Sequence, residues 1–168
     1  MEFAFTDEQK MIAETVRGFF GENATSARTR AAMAATGPDA GLDRELWSAF
    51  AGEMGLAGIG LPEDHGGAGL GMVEFALVAE AAGANVAALP LLGQAMVSRA
   101  IAAGGSAAQQ AGWLPRLISG EVIGTCAWMP EVTVADGRLT GTIPFVAHGA
   151  AANLLLVPVG DEAWLVDL

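Results

Sequence analysis

Histidine and cysteine are the side chains of this sequence that could act as acid, base, nucleophile or soft metal ligand near neutral pH. The chain contains only His65, His148 and Cys126 of these types, and a metal site built from such ligands needs more candidates than that. His148 precedes Gly149–Ala151 at a predicted strand end without an acidic residue nearby, so we interpret it as a turn residue. His65 is no stronger a candidate. The serine motif of hydrolases and the phosphate-binding loop are also absent from the sequence, so no catalytic or metal-binding residue is assigned.

The composition favours a protein that buries part of its surface against other chains. Of 168 residues, 52% are apolar and only 16% are charged. This length corresponds to one domain or slightly more. Because so little polar surface is available, we expect burial against another chain or against further sequence, and hence a homo- or hetero-oligomer.

The charge balance excludes one large class of partner. The chain has 19 acidic and 8 basic side chains, for a net charge of −11. Nucleic acid is not an expected partner, because binding to phosphates depends on Lys and Arg. Any other polyanionic ligand would meet an unfavourable long-range field, although local basic residues can still hold it.

The cellular compartment is predicted from the cysteine count and the N-terminus. Cys126 is the only cysteine, so no intramolecular disulfide can form and a reducing cytoplasm is expected. Met1 leads into an acidic segment without a basic region, which predicts no signal peptide. No apolar run approaches the length of a membrane span, so membrane association is not expected.

Start signals and apolar periodicity predict that the first part of the chain is helical. Thr6 and Gln9 have the spacing of a capping box, which starts a helix that we expect to end at Gly21. Residues 24–40 read as a partly helical connection, and residues 42–54 resume the helical period. The apolar stripes of the two helices are assigned to the core: Met11, Ile12, Thr15, Val16, Phe19 and Phe20, then Leu46, Trp47, Phe50 and Met54.

Residues 55–83 form the segment around which the rest of the chain is arranged. Gly55 is expected to end the preceding helix in a left-handed conformation. Leu56–Leu61 is predicted to be an extended apolar run that Pro62 stops, and residues 63–65 a solvated loop. The glycines that follow predict a tight bend: Gly66, Gly67, Gly69 and Gly71. A buried helix comes next, with an apolar side of Phe75, Ala76, Ala79 and Ala82.

Two more helices are predicted before the pattern changes. Residues 91–103 restore the helical period, and Ser106 and Gln109 form a second capping box. Pro115 should kink or interrupt the helix that starts there, and Gly120 should end it. One side of the first helix carries Leu92, Ala95, Met96, Arg99 and Ala100, and the apolar face of the second is Trp113, Leu114, Leu117 and Ile118.

From Val122 onward, short β-branched segments separated by turn residues predict antiparallel β structure. Asp136-Gly137 is a hairpin dipeptide, and Gly160-Asp161 predicts a second turn. The sheet has no closing element, and an open edge of this kind favours pairing with another chain. The predicted strands are residues 122–128, 132–134, 138–146, 153–159 and 163–167.

Two phrases of the sequence resemble the acyl-CoA dehydrogenase family of flavoproteins. Residues 55–69 read G-L-A-G-I-G-L-P-E-D-H-G-G-A-G, similar at nine positions to the family phrase G-L-x-G-x-x-L-P-E-x-x-G-G-x-G. Residues 113–121 read W-L-P-R-L-I-S-G-E, similar to the L-P-x-L-x-x-G-E that closes the family's helical domain. The resemblance implies an α+β protein: an all-helical domain at residues 1–120, then the beginning of an antiparallel β-barrel-like domain at residues 121–168. Family members continue through that domain into a C-terminal four-helix bundle.

The resemblance also implies an activity, FAD-dependent α,β-dehydrogenation of acyl-CoA thioesters in fatty acid or steroid degradation. In the family, a carboxylate base removes the α proton while a β hydride passes to FAD. That base lies in the C-terminal bundle, so no residue of this chain is assigned the role. Acyl-CoA is the implied substrate, and an electron-transferring flavoprotein is an implied partner.

The flavin contacts implied by the resemblance lie in two segments. Where the family often has Leu-Thr-Glu-Pro, residues 128–131 read W-M-P-E, so that Met129 replaces the hydroxyl. Where the family has G-T-K-x-W-I-T, residues 141–147 read G-T-I-P-F-V-A. Phe145 would stack on the isoalloxazine ring or, equally, serve as a core aromatic, and the other residues would act through backbone groups. The predicted cofactor-binding residues are Trp128, Met129, Phe145, Val146 and Ala147.

Three hypotheses follow from these observations. The leading one is an acyl-CoA dehydrogenase-like flavoprotein, present here as a fragment or a subunit. The altered flavin phrases and the apolar composition also support a non-catalytic partner subunit of a heteromeric acyl-CoA dehydrogenase. A flavin monooxygenase of the same fold remains a third hypothesis.

Overall fold

Helices occupy the chain up to Ile118 and short strands follow, in a computed structural model that describes residues 4–168. The helices are α1 (Asp7–Asn23), α2 (Ser26–Ala34), α3 (Arg44–Ser48), α4 (Met72–Ala84), α5 (Leu91–Gly104) and α6 (Ala107–Ile118). The strands are β1 (Gly124–Cys126), β2 (Glu131–Ala135), β3 (Arg138–Thr142), β4 (Leu154–Val159) and β5 (Glu162–Asp167). The predicted change from helices to strands is confirmed, and the chain is a helical domain followed by a partial β domain.

Helix α1 begins as predicted but ends later. The Thr6 hydroxyl accepts a hydrogen bond from the Gln9 N–H, and the Gln9 side chain accepts one from the Thr6 N–H, which completes the capping box. The helix continues through Gly21 to Asn23, because nothing requires a left-handed residue at Gly21. Only a narrow stripe of α1 packs on α4, so Met11 is 62% exposed although it was assigned to the core.

The third helix is anchored by its aromatic residues. Trp47 and Phe50 stack with their ring centroids 5.8 Å apart, and both are buried as predicted. The Trp47 indole N–H donates to the carbonyl of Gly120, which follows α6 in a left-handed conformation at φ +78°. A five-residue π-helical turn, Ala49–Glu53, extends α3. The end of α6 is thereby fixed against α3.

The segment after Gly55 is helical rather than extended. Gly55 has the left-handed conformation predicted for it, at φ +66°, but Leu56–Gly58 forms a 3₁₀ turn. The backbone carbonyls of residues 58, 59 and 61 accept hydrogen bonds from the N–H groups of residues 68, 70 and 69. The glycine-rich bend thus folds back over the apolar run and donates hydrogen bonds to its carbonyls. The run pairs with this bend and not with a β-strand.

Helices α4 and α5 bury different faces from those predicted. Ala76 is exposed and Ala79 is half-buried, and Leu92 of α5 is 58% exposed. The buried residues are Leu77, Val78, Ala81 and Ala82 in α4, and Gln94, Val97, Ser98 and Ile101 in α5. Both helices are apolar around most of their circumference, so the neighbouring elements, rather than the periodicity, select the buried face. Helix α6 is continuous through Pro115, so of the two predicted outcomes, a kink or a restart, the restart does not occur.

The strands form two small sheets. One has the order β1-β4-β5 and the other is the β2–β3 hairpin. The hairpin and the β4–β5 pair are antiparallel as predicted, but β1 and β4 run parallel, with Gly124 opposite Leu154. The long connection between β1 and β4, which contains the hairpin, lets the chain return to the same end of the sheet and makes a parallel pair possible. Asp136 and Gly137 both have positive φ, at 51° and 71°, as a two-residue hairpin turn requires.

The three-stranded sheet is covered on both faces. One face packs against α5 and α6 through Leu154 and Leu156. The other face presents Leu155 and Val157 to apolar residues of the hairpin and of the loop after it. That loop begins at Ile143, where the structure departs from the predicted strand 138–146.

A partly buried ion pair joins α2 to α3. The Arg28 guanidinium contacts both carboxylate oxygens of Asp43, at 2.6 and 2.7 Å, and the carboxylate also accepts the Leu46 N–H as the N-cap of α3. Burial acts to raise the pKa of Asp43, but the hydrogen bonds from Arg28 and from the backbone outweigh it, and the pKa is lowered.

This ion pair predicts an acid-dependent loss of stability. An Asp with a lowered pKa stabilises the fold above its unfolded value of about 3.9, and the contribution is lost as the pH falls through the lower folded value. Asn at position 43 keeps a capping oxygen but not the charge. Between pH 7 and pH 2.5, the free energy of unfolding by urea should therefore fall by about 1 to 2 kcal/mol more in the unaltered chain than in Asp43→Asn. Parallel pH profiles would contradict the prediction.

Candidate cofactor site

Strand β1 is fixed to the helical domain by the side chain of Gln94, which is 1% exposed. Its amide nitrogen donates to the carbonyls of Leu117 and Val122, at 2.7 and 3.0 Å, and its carbonyl oxygen accepts the Gly124 N–H at 2.7 Å. A Cβ at Gly93 would lie 3.0 Å from the Gly124 carbonyl oxygen, so the glycine allows α5 to approach the strand closely. One side chain thus holds α5, the end of α6 and the start of β1 together.

The two segments predicted to contact flavin are brought together by β1. Residues 128–129 follow the strand directly, after Ala127 donates its N–H to the Leu156 carbonyl at 2.9 Å. The Thr125 hydroxyl, which is buried, donates to the Ala147 carbonyl at 2.7 Å. Residues 145–147 therefore lie beside the strand from which residues 128–129 emerge. We call residues 128–129 and 145–147 the site segments.

Side chains in the site segments divide into those that face solvent and those that face the core. Trp128 and Met129 are 56% and 62% exposed, and Phe145 is 87% exposed. Phe145 is therefore not a core aromatic. The Val146 side chain packs on the buried cluster around Val157, so this residue can offer a ligand only its backbone.

The backbone of the site segments supplies unused hydrogen-bond donors. Within residues 4–168, the N–H groups of Trp128, Met129, Phe145, Val146 and Ala147 donate to no protein acceptor. Flavin rings carry carbonyl oxygens and unprotonated ring nitrogens, which are acceptors for such donors. The donor set and the exposed aromatic ring of Phe145 fit a flavin held mainly by backbone groups.

Two of the three residues considered for acid–base or nucleophilic chemistry, His148 and Cys126, have environments that do not favour it. Burial lowers the pKa of His148, against a weaker opposing effect of the Gly41 backbone. His148 lies in a turn at φ +53°, and its carbonyl accepts the N–H groups of Ala151 and Ala152. Burial raises the pKa of the Cys126 thiol, which disfavours the reactive thiolate. No group of three or more His, Cys, Asp or Glu side chains in residues 4–168 has the geometry of a metal site.

Sequence reasoning missed Gln94 and Thr125, the two residues that organise the site. Gln94 interrupts the apolar run L-L-G-Q-A-M-V, and a lone amide in such a run is a signal of a buried backbone partner. Thr125 carries no comparable signal, because threonine is common in strands on either face.

In the described part of the chain, no helix is long and apolar enough to cross a membrane.

Residues 6–121 match the family model described as acyl-CoA dehydrogenase, N-terminal domain. The chain belongs to the acyl-CoA dehydrogenase family. Acyl-CoA dehydrogenase IpdE2 of Mycobacterium tuberculosis is 34% identical over 156 residues, which cover 86% of this chain and 48% of the relative. The chain therefore spans about half the length of the relatives that it matches.

Two solved structures extend the similarity to the β domain. A Tcur3481-Tcur3483 steroid ACAD variant superposes with a TM-score of 0.84 at 33% identity, over 96% of this chain and 48% of that one. The ChsE4-ChsE5 complex from Mycobacterium tuberculosis gives a TM-score of 0.85 at 29% identity, over 99% of this chain and 49% of that one. Both names join two components, and the second is named as a complex.

Proposed function

We propose that this chain is part of a subunit of an FAD-dependent acyl-CoA dehydrogenase, with a helical domain at residues 1–120 and the start of the β domain at residues 121–168. The observation that carries the proposal is the pair of site segments, which present five unused backbone N–H donors and an exposed Phe145 beside one strand. Membership of the family supports the same activity. A steroid-derived or fatty acyl-CoA is the proposed substrate class, since one similar structure is named a steroid ACAD.

The proposed role of this chain is to bind and orient the cofactor. Bound FAD would supply the hydride acceptor for α,β-dehydrogenation of the thioester. The backbone donors of the site segments would fix the edge of the ring system, and the Phe145 ring would cover part of its face. No carboxylate of this chain is assigned as the base. The reoxidising partner is proposed to be an electron-transferring flavoprotein.

A specific observation favours a second candidate, a partner subunit within a heteromeric dehydrogenase. Coenzyme A carries several phosphate charges that Lys and Arg would have to neutralise. In residues 4–168, the cations Lys10, Arg28, Arg44 and Arg116 already form ion pairs with carboxylates. The Arg99 guanidinium donates to the Gly60 carbonyl. With few cations uncommitted, a companion chain would supply the coenzyme A contacts.

One experiment tests both candidates. The protein is purified alone and after co-expression with a neighbouring dehydrogenase-like gene, and its flavin content is read from the visible absorbance. Flavin uptake by the chain alone supports the first candidate, whereas uptake only in the co-purified complex supports the second. A colourless protein that takes up no added FAD in either form would refute the proposal.

Phe145→Ala sharpens this test, because stacking on the flavin would be lost while the backbone donors remain. We expect FAD affinity to fall about tenfold, the equivalent of about 1.4 kcal/mol. The matched control is Met33→Ala on α2, which removes another strongly exposed apolar side chain, 78% exposed, from the helical domain. Equal affinities for the two variants would remove Phe145 from the site.

A further inference from the structure

The loop between β3 and β4 holds residue Phe145 in an unfavourable backbone conformation. Phe145 and His148 both have φ +53°, a left-handed value that is rare for residues with large side chains. Each such residue costs about 1 kcal/mol or more, and it persists only where the surrounding structure holds it. Something must therefore fix this loop between its two strained positions.

Side-chain packing and hydrogen bonds hold the loop from inside. The side chains of Ile143 and Val146 pack on the buried cluster beneath it. Between the two strained residues, the Thr125 hydroxyl donates to the Ala147 carbonyl at 2.7 Å, and at the second strained residue the Gly41 backbone forms a hydrogen bond with His148. Thr125 is 2% exposed, so the donor end of this bond is buried, whereas Ala147 itself lies at the surface. The bond is the polar link between β1 and the loop.

Thr125 is itself held firmly. Its neighbour Gly124 donates to Gln94, and Thr125 lies opposite Leu155 in the parallel ladder. The Thr125 hydroxyl thereby links the Ala147 carbonyl to β1, which is itself bound to the helical domain through Gln94. The other site segment, residues 128–129, begins two residues after the end of β1, so the same strand sets the location of both segments.

We propose that Thr125 is a positioning residue of the cofactor site, whose hydroxyl sets the distance between residues 128–129 and residues 145–147. This inference rests on the proposed function, because it assigns the site to flavin. Without the hydroxyl, the Ala147 carbonyl loses its buried partner and the loop relaxes its strained residues. The distance between the two site segments, and with it the spacing of their backbone donors, is then no longer fixed. Thr125 contacts no cofactor atom in this scheme and acts through the loop.

Valine tests this role because it has the shape of threonine without the hydroxyl. In Thr125→Val we expect FAD affinity to fall about tenfold, equivalent to about 1.4 kcal/mol. In Thr125→Ser, which keeps the hydroxyl, we expect it to stay within about threefold, or about 0.7 kcal/mol. The matched control is Thr133→Val, since the Thr133 hydroxyl also donates to a carbonyl, that of Thr140 at 3.3 Å, but on the exposed hairpin. The control should bind FAD normally.

A second readout does not depend on flavin. The N–H groups of Gly149, Ala151 and Ala152 donate to carbonyls of residues 146 and 148, so their hydrogen exchange reports opening of the loop. Exchange at these amides should be about five- to tenfold faster in Thr125→Val than in Thr125→Ser, as expected for a lost hydrogen bond of about 1 kcal/mol.

The outcomes separate this proposal from the one on which it rests. Unchanged exchange in Thr125→Val overturns the positioning role whatever the flavin result. Faster exchange with unchanged FAD affinity also overturns it, because the loop position would then not matter to the ligand. If the unaltered protein binds no FAD alone or in complex, the proposed function fails, and the cofactor role of Thr125 fails with it. Faster exchange together with weaker binding, both rescued by serine, supports the proposal.

Discussion

Replacing Gln94 with leucine is expected to lower the free energy of unfolding by about 3 to 5 kcal/mol. Leucine has nearly the same volume but leaves the carbonyl of Val122 and the N–H of Gly124 without their side-chain partner, and it removes one donor from the Leu117 carbonyl, which still accepts the Gly120 N–H. Each buried polar group left unpaired costs about 1 to 3 kcal/mol, and at 1% exposure no water reaches this position from the surface. Urea denaturation of the purified variant measures the loss.

Gln110 provides the matched control for this prediction. Its side-chain amide also binds the backbone in three places, at the carbonyls of Ile101, Ala102 and Gly105. Gln110 is only half-buried, however, so water can replace the lost donor. Gln110→Leu should cost about 1 kcal/mol. Equal losses in the two variants would show that burial of Gln94 is not what makes its contacts important.

Replacing Gly67 with alanine should cost about 3 kcal/mol or more. A Cβ at this position would lie 2.2 Å from the Leu61 carbonyl oxygen and 2.5 Å from its carbonyl carbon. These are backbone atoms, so no rotamer change can relieve the overlap. The same carbonyl accepts the Gly69 N–H at 2.8 Å, and moving it would break that hydrogen bond. The midpoint of thermal or urea unfolding measures the effect.

A glycine with free space around it gives the opposite expectation. Gly83 lies inside α4 with no heavy atom within 4 Å of the added Cβ. Alanine there should stabilise the chain by up to about 1 kcal/mol, because alanine favours the helix. If Gly67→Ala lost less than about 1 kcal/mol, the close approach of the two backbone segments would not be a constraint on the fold.

Predictions from short sequence patterns were confirmed where an element depends only on residues close together in the chain. Both capping boxes form as their spacing predicted, at Thr6 and at Ser106. The Asp136-Gly137 turn closes the hairpin, because the preference of that dipeptide for positive φ does not depend on distant residues. The nine-position phrase at residues 55–69 and the phrase at residues 113–121 were sufficient for the family, which the match over residues 6–121 confirms.

Predictions failed where a distant neighbour decides the outcome. Helix α5 has apolar or small residues on nearly every side, so its sequence permits several buried faces. The face with Gln94 is buried because β1 offers backbone groups that the amide satisfies. The parallel pairing of β1 with β4 likewise depends on where the long connection returns, which no local pattern encodes.

The amino-acid sequence by itself determined the family, the order of the main helices and strands, and the two hairpin turns, because caps, turn dipeptides and hydrophobic periods act within a few residues. Only the tertiary structure decided which faces are buried, that Phe145 projects into solvent, and that residues 128–129 and 145–147 lie beside one strand. Those features depend on hydrogen bonds between residues about 20 to 30 positions apart in the chain, such as Thr125 to Ala147 and Gln94 to Gly124. Such partners are set by packing, and spacing along the chain does not record them.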